Sequence, residues 1–199
     1  MDITADMVKK LRQSTGGGFM ECKKALEEAN GDSDSAVELL RKRGLKTAAL
    51  KADRAANEGQ IAAYIHHGGR VGVLIEINCE TDFVARTAEF QQLVKDIAMH
   101  IAAANPRYIC REDVPADLVK KEEEIYRAQL ADSGKPENVM EKIIQGKLEK
   151  GFYAQQCLLE QPYIKDDSIA VGALLQNAIG KLKENIVIRR FSRYQLGGN

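Results

Sequence analysis

Histidine and cysteine are residue types that can support nucleophilic or metal chemistry, and their spacing in this chain favours neither. His66 and His67 are adjacent, so their side chains diverge, and no third ligand accompanies them. His100 has no Cys, Ser or Asp partner at the spacing of a nucleophilic motif. The cysteines never form a Cys-x-x-Cys pair, which argues against a zinc knuckle or a thioredoxin-like site. They are Cys22, Cys79, Cys110 and Cys157. We therefore expect no catalytic residues, no bound metal and no cofactor.

The most informative segment is residues 80–85, with the sequence Glu-Thr-Asp-Phe-Val-Ala. It follows a predicted strand over residues 70–78, where apolar residues alternate, and precedes a predicted amphipathic helix. A short polar and aromatic corner between two rigid elements suits recognition of a partner. Spacing alone favours a structural interpretation instead, in which Thr81 or Asp82 caps the helix and Phe83 belongs to the core.

A glycine turn at residues 16–18 precedes another predicted helix. Its amides could hold an anion, but no Gly-Lys-Ser/Thr follows and no strand precedes it, so it is not a phosphate-binding loop of the Walker type. An interhelical turn is the favoured interpretation. Phe19 and Met20 directly follow the turn, and they either fill a small core or form an exposed docking pair.

Composition limits the classes of partner. The chain has 199 residues, with 29 Lys and Arg against 29 Asp and Glu, so its net charge of zero does not favour direct binding of nucleic acid. No apolar stretch approaches the roughly 18 residues of a membrane span. Residues 1–6 lack the basic and apolar regions of a signal peptide. We expect a cytoplasmic protein with reduced cysteines and no membrane partner.

The polar and apolar pattern predicts three regions. Residues 1–45 form three short helices, of which the first starts near Thr4 and the third ends at Gly44. Residues 46–59 are charged and alanine-rich and form a partly helical connector. Residues 60–199 form the larger part of the fold.

The third region combines strands and helices. Alternation around Ile61 predicts a strand, a glycine-containing turn after it predicts a hairpin, and a β-rich segment over 184–194 supplies a third strand. Asp167 or Ser168 is predicted to cap the last helix. The fold class is therefore α+β, with a three-helix module followed by a core that carries a three-stranded antiparallel sheet and several helices.

In several of its segments the chain resembles the elongation factor Ts family, whose members exchange nucleotide on the translational GTPase elongation factor Tu. Together the matching segments are specific, and none would suffice alone. They are Ile3-Thr4-Ala5 with Val8-Lys9-Lys10-Leu11-Arg12, residues 15–32, Asn78-Cys79-Glu80-Thr81-Asp82-Phe83-Val84-Ala85, and residues 158–166 with Arg189-Arg190-Phe191.

The resemblance implies that residues 1–45 form a ubiquitin-associated-like module that docks on the nucleotide-binding domain of the GTPase. Lys9, Arg12, Phe19 and Met20 fall on the family's contact positions in this module.

The resemblance also assigns a role to the corner. Asp82 and Phe83 match the pair that the family pushes between helices flanking the magnesium site of the GTPase, and Thr81 and Val84 flank that pair. The implied function is acceleration of GDP release by disrupting the magnesium and phosphate site and by stabilising the nucleotide-free state. Such an exchange factor is not an enzyme in the covalent sense.

Residues 60–199 would then be a dimerisation core that touches another domain of the GTPase, with His66 and His67 as candidates for that second contact. Three strands and several helices leave an apolar sheet face that one chain does not cover, so we expect a homodimer. The terminal strand has no cysteine, and an intersubunit disulfide there is not expected.

One departure from the family pattern is Gly151, which stands between a Lys-Leu-Glu-Lys run and Phe152. We expect a local change of loop there.

Two other classes of function remain open from sequence. A ubiquitin-binding or other adaptor would share the three-helix module, and binding to ubiquitin would identify it. A small enzyme would need a polar pocket with perturbed titratable groups, of which the sequence gives no sign.

Overall fold

The structure, a computed structural model, describes residues 2–198, apart from the side chain of Asp132. The chain begins with three helices, α1 (Ala5–Thr15), α2 (Phe19–Glu28) and α3 (Ser33–Lys51). As predicted, Thr4 caps α1 by accepting from the Met7 amide at 3.3 Å. Asp32 caps α3 by accepting from Ser35 at 2.8 Å. The helices enclose a small apolar core of Val8, Leu11, Cys22, Ala25, Leu26 and Ala36.

The prediction that α3 ends at Gly44 is wrong, because the helix continues to Lys51. A Cβ added at Gly180 would lie 2.8 Å from the Cα of Gly44. The absence of a side chain at Gly180 therefore permits the close approach to the backbone of Gly44, and Gly44 itself does not end the helix. The predicted connector over 46–59 contains the last turns of α3 and the first residues of the next strand.

Strand β1 (Glu58–Ile65) and strand β2 (Val71–Cys79) form the predicted hairpin. At the turn, the His66 amide donates to Val71 at 2.9 Å, and Gly68 and Gly69 have positive φ. These φ values explain why glycine is needed there. Strand β5 (Ile186–Gln195) completes a three-stranded antiparallel sheet in the order β1-β2-β5. The predicted third strand and the α+β class are confirmed.

The remaining elements are mostly helical. Helix α4 (Asp82–Ala85) and helix α5 (Ala88–Ala104) follow the hairpin, and α6 (Ala116–Leu130), α7 (Glu137–Lys147) and the short α8 (Ala154–Gln156) come next. A two-stranded ribbon of β3 (Pro162–Tyr163) and β4 (Asp166–Ala170) precedes α9 (Val171–Leu182). Short 3-10 turns lie at Arg111–Asp113, Ala131–Ser133 and Leu158–Glu160.

Two sequence-based expectations in this region are wrong. Asp167 and Ser168 lie in β4 and do not cap α9, which begins at Val171. The Asp166 carboxylate accepts from the Ser168 hydroxyl at 2.5 Å, so the polar residues satisfy one another within the ribbon. Gly151 lies in a π-helical turn, Leu148–Tyr153, and not in a loop. A wider turn absorbs one extra residue without ending the helix.

The chain divides into two compact units. The first comprises residues 2–61, 76–94 and 175–189, and the second comprises residues 62–75, 95–174 and 190–198. The first unit holds the three N-terminal helices, α4 and most of α9. The second has its own apolar cluster of Val114, Ile144, Leu148, Phe152 and Cys157. No described helix is both long enough and apolar enough to cross a bilayer.

A buried histidine lies in the second unit. His100 is inaccessible to solvent. Its Nδ1 accepts from the Ile164 amide at 3.3 Å, and its Nε2 therefore carries the proton and donates to Gln161 at 2.9 Å. The Tyr163 ring lies beside it, with centroids 6.1 Å apart. Burial lowers the pKa of His100 below 6.5, and the bond to Gln161 opposes this shift. A second proton, on Nδ1, would point at the Ile164 N–H and would have no acceptor.

This histidine predicts a pH dependence of stability. The pKa of His100 is lower in the folded than in the unfolded chain. The contribution of neutral His100 to the free energy of unfolding is therefore complete above about pH 6.5, and it is lost as the pH falls through the folded pKa. Each tenfold difference in proton affinity between the two states is about 1.4 kcal/mol. The temperature of the unfolding midpoint should decrease as the pH is lowered from 7.5 to 5.5. In His100→Gln this decrease should be smaller.

The matched control is the double variant His66→Gln, His67→Gln, because both of these rings are exposed. It should keep the wild-type pH dependence. An unfolding midpoint that depends on pH equally in wild type and His100→Gln would contradict the assignment.

Candidate functional site

The segment after β2 forms a rigid corner, which we define as residues 80–85. Thr81 is the N-cap of α4, with its hydroxyl accepting from the Val84 amide at 3.3 Å. Val84 is 6% exposed, whereas Phe83 is 77% exposed. Of the two residues predicted as possible caps, Thr81 is the N-cap and Asp82 is the first residue of α4. The alternative that Phe83 belongs to the core is wrong. One side of the short helix anchors it, and the other presents an aromatic ring to solvent.

Two hydrogen bonds to one carbonyl group fix the backbone of the corner. The Thr81 carbonyl accepts from the Ala85 amide at 3.2 Å and from the Cys79 thiol at 3.1 Å. Burial raises the pKa of Cys79 to about 11, and the nearby Glu184 carboxylate adds to that rise. The sulfur therefore keeps its proton at neutral pH and remains a donor.

Two residues far along the chain contact the corner, and sequence reasoning missed both. Glu184 accepts from the backbone amides of Glu80 and Thr81 at 3.1 and 3.0 Å and from the Thr81 hydroxyl at 2.6 Å. In return the Glu80 carboxylate accepts from the Asn185 amide at 2.7 Å. Glu184 and Asn185 lie in the connection between α9 and β5. No local pattern marks them, because their partners are more than 100 residues away.

Asn185 and Glu80 also contact residues at the C-terminal end of α3. Asn185 is buried and its side-chain amide donates to the carbonyls of Ala52 and Arg54 at 3.2 and 2.7 Å. Glu80 also pairs with Arg54 at 3.4 Å and Lys51 at 3.9 Å. The hydrogen bond from the Asn185 amide, and then Arg54, lower the pKa of Glu80. The corner is thus tied both to the connection before β5 and to the C-terminal end of α3.

Asp82 has an exposed carboxylate that forms an ion pair within its own segment. It pairs with Arg86 at 2.9 Å, and both side chains are mostly exposed. An exposed pair of this kind contributes little to stability, at most about 1 kcal/mol. Its carboxylate oxygens therefore remain accessible to a binding partner beside the exposed ring of Phe83.

The glycine turn presents a second exposed apolar group. Phe19 and Met20 begin α2 and are 49% and 58% exposed, so the alternative that they fill the core is wrong. Gly16 has a φ of 66° and its amide donates to the Arg12 carbonyl at 2.8 Å, which ends α1 as an interhelical turn. Lys9 and Arg12 are exposed on α1. The exposed groups are thus two cationic side chains on α1 and two apolar side chains at the start of α2.

The end of α9 and the connection after it also contact the glycine turn and the start of α2. Glu21, in the first turn of α2, pairs with Lys183 at 2.8 Å. The side chain of Lys181 lies against Gly16, where a Cβ would meet its Nζ at 2.5 Å. The positive φ of this position favours glycine, whereas the flexible end of the Lys181 side chain can move to admit a Cβ.

The predicted site residues divide between the two units. The corner and the four residues Lys9, Arg12, Phe19 and Met20 belong to the first unit. His66 and His67 belong to the second and are exposed at the tip of the β1–β2 hairpin, with Tyr64 Oη 3.1 Å from Nδ1 of His66. Among the described residues, no group of three or more His, Cys, Asp or Glu side chains is placed to hold a metal ion.

Comparison with known proteins gives a consistent result. The family described as Elongation factor TS matches residues 5–198. A protein of Carboxydothermus hydrogenoformans named Elongation factor Ts is 60% identical over 195 residues, covering 98% of this chain and 89% of the relative. Its namesake in Fervidobacterium nodosum is 57% identical over 197 residues, covering 99% of this chain and 100% of the relative. The Geobacter sulfurreducens protein of the same name is 56% identical over 197 residues, covering 99% and 91%.

Proposed function

The chain belongs to the elongation factor Ts family and is therefore a translation elongation factor, and from this premise we propose that it accelerates GDP release from the GTPase elongation factor Tu. The observation that carries the proposal is the 77% exposure of Phe83 on a corner whose backbone is hydrogen-bonded on several sides. A large exposed ring on a rigid support is suited to insertion into a partner.

The mechanism requires no covalent chemistry. Nucleotide affinity in a GTPase depends on phosphate contacts and on a magnesium ion held by correctly placed ligands. Phe83 would enter a cleft between two helices of the GTPase that opens when the residues supporting the magnesium ion move. Burial of the ring contributes about 1.5–3 kcal/mol, and only to the opened state. Asp82 adds a carboxylate beside the magnesium shell and competes for the groups that orient its ligands.

Binding of the factor and binding of the nucleotide to the GTPase are linked. The factor therefore weakens nucleotide binding by the same free energy by which it binds the nucleotide-free GTPase more tightly than the nucleotide-bound form. Thr81 and Val84 serve this step by fixing α4. Thr81 caps the helix, and Val84 buries its inner side. A helix of four residues is too short to hold itself in place, so its anchoring decides where Phe83 points.

We further propose that residues 1–45 are the module that docks on the nucleotide-binding domain. Phe19 and Met20 would supply apolar contact area, while Lys9 and Arg12 would guide association with an acidic surface. His66 and His67 would contact another domain of the GTPase from the β1–β2 hairpin.

Charge reversal in the docking module should act mainly on association. Long-range attraction between complementary charges raises association rates and is screened by salt. Lys9→Glu combined with Arg12→Glu should slow association with the GTPase by about tenfold at low salt and by much less at high salt. Association rates measured by stopped flow across a series of salt concentrations test this.

The control is Lys120→Glu with Lys121→Glu, which reverses two exposed lysines on α6. It should leave the association rate and its salt dependence nearly unchanged. An equal loss of rate at every ionic strength for the docking variant would show that Lys9 and Arg12 act by direct contact and not by attraction at a distance.

We also propose a homodimer formed through the outer face of the sheet. Ile65 of β1, Leu74 of β2 and Tyr194 of β5 line one shallow apolar depression on the second unit, and all three are exposed. Each strand contributes to it, and Leu196 extends it past the end of β5. An exposed apolar face is suited to burial against a partner, and in a two-fold contact the same face of a second copy would cover it.

The direct test of exchange is stopped-flow release of a fluorescent guanine nucleotide from purified elongation factor Tu. Addition of the protein should raise the release rate, with saturation as the complex forms. Binding to ubiquitin is measured in parallel. Absence of any acceleration, together with binding to ubiquitin, would favour the adaptor function over exchange.

A further inference from the structure

Glu184 makes an unusual set of contacts for a residue in a connection between two elements. Its Oε2 accepts from the Glu80 and Thr81 amides at 3.1 and 3.0 Å, and its Oε1 accepts from the Thr81 hydroxyl at 2.6 Å. Hydrogen bonds to an ionised carboxylate are stronger and shorter than neutral ones. One side chain from the α9–β5 connection therefore fixes both the backbone and the side chain at the start of α4.

The contact with the hydroxyl also controls the cap. A hydroxyl has one proton and two acceptor lone pairs. Donation to Glu184 at 2.6 Å turns the proton of Thr81 away from α4, which leaves a lone pair for the Val84 amide at 3.3 Å. Without Glu184 the hydroxyl is free to rotate, and the amides of Glu80 and Thr81 lose their acceptor.

Loss of this contact should loosen the corner more than it destabilises the fold. Thr81 is exposed, so water can replace Glu184 at its amide and hydroxyl, and of the three donors only the Glu80 amide is part-buried. The Asn185 contacts with Glu80, Ala52 and Arg54 remain. What disappears is the constraint on the direction of a four-residue helix.

We infer that Glu184 is a positioning residue for nucleotide exchange, which holds Thr81 so that Phe83 projects at a fixed angle from the corner. The inference rests on the proposed function, in which Phe83 enters the GTPase. Glu184 itself need not touch the partner. It acts on the step in which the ring opens the magnesium site, and the docking module supplies affinity independently.

The test compares Glu184→Ala and Glu184→Gln in the full chain. With fluorescent GDP on elongation factor Tu, the maximal release rate at saturating factor should fall about tenfold for Glu184→Ala, because three hydrogen bonds to a carboxylate are lost. The half-saturating concentration should change much less. Glu184→Gln keeps one acceptor oxygen and should lie between Glu184→Ala and wild type, and it serves alone if the alanine variant does not fold.

A matched control separates positioning from general loss of stability. Glu160 also accepts two hydrogen bonds, both from the Arg111 guanidinium, in the second unit. Glu160→Gln should lower the thermal midpoint without lowering the maximal release rate. Amide hydrogen exchange gives a readout independent of the GTPase, and peptides covering residues 80–85 should exchange faster in Glu184→Ala than in wild type or Glu160→Gln.

The outcomes separate the inference from the proposed function. If wild type accelerates release but Glu184→Ala has the same maximal rate, or if Glu160→Gln loses rate equally, the positioning role is overturned. If wild type itself does not accelerate release, the exchange function fails. Unchanged hydrogen exchange over residues 80–85 in Glu184→Ala would also overturn the positioning role.

Discussion

Replacing Phe83 with alanine should slow GDP release stimulated by this protein by about 10- to 150-fold, the factor that corresponds to the 1.5–3 kcal/mol from burying one phenylalanine ring. The loss should appear in the maximal release rate, because the ring would be buried only in the opened state of the GTPase. The measurement is stopped-flow release of fluorescent GDP at saturating factor.

The fold should tolerate this substitution. The ring is 77% exposed, and truncation of an exposed side chain usually changes the free energy of unfolding by no more than about 0.5 kcal/mol. Ile125→Ala is the matched control, since it truncates an exposed apolar residue on α6 that has no place in the proposed site. A wild-type release rate for Phe83→Ala, with Ile125→Ala equally unaffected, would refute the wedge mechanism.

The second large effect concerns the sheet face. Leu74→Glu should convert a dimer into a monomer at micromolar concentration, with dimer affinity weakened by roughly 100-fold or more. Leu74 is 49% exposed on the central strand of the sheet. In a two-fold contact both copies carry the change, so two apolar contacts are lost and two like charges are introduced. Mass by light scattering over a range of concentrations measures it.

Leu50→Glu is the control for this variant. Leu50 is 74% exposed near the end of α3 and takes no part in the sheet. The control should keep the mass of wild type. A monomeric wild type at micromolar concentration, or a dimeric Leu74→Glu variant, would exclude the outer sheet face as the interface.

Features decided by neighbouring residues were predictable from sequence. The caps at Thr4 and Asp32 form hydrogen bonds to amides three residues on, and a side chain of the right type suffices for them. The alternation in β2 predicted a strand with Val73, Ile75 and Ile77 buried, because successive side chains point to opposite faces. The glycines of the hairpin turn follow from the φ that the turn requires.

Features decided by distant contacts were not predictable. Gly44 matches a helix end by local rules, yet it lies inside α3, where its backbone is approached closely by Gly180. Asp167 and Ser168 have cap-forming side chains, but pairing of β3 with β4 takes their segment into a ribbon. In both cases the residue type was compatible with two structures, and tertiary packing chose between them.

The candidate site shows the same division. Sequence by itself determined the order of strand, polar corner and helix around residues 80–85, and it limited the cap to Thr81 or Asp82, because these depend on hydrogen bonds and periodicity within a few residues. Only the tertiary structure decided that Phe83 faces solvent while Val84 is buried, and that Glu184 and Asn185 hold the corner from 104 and 105 residues away. Exposure depends on which faces the rest of the chain covers, and that is settled by long-range packing, which no local pattern contains.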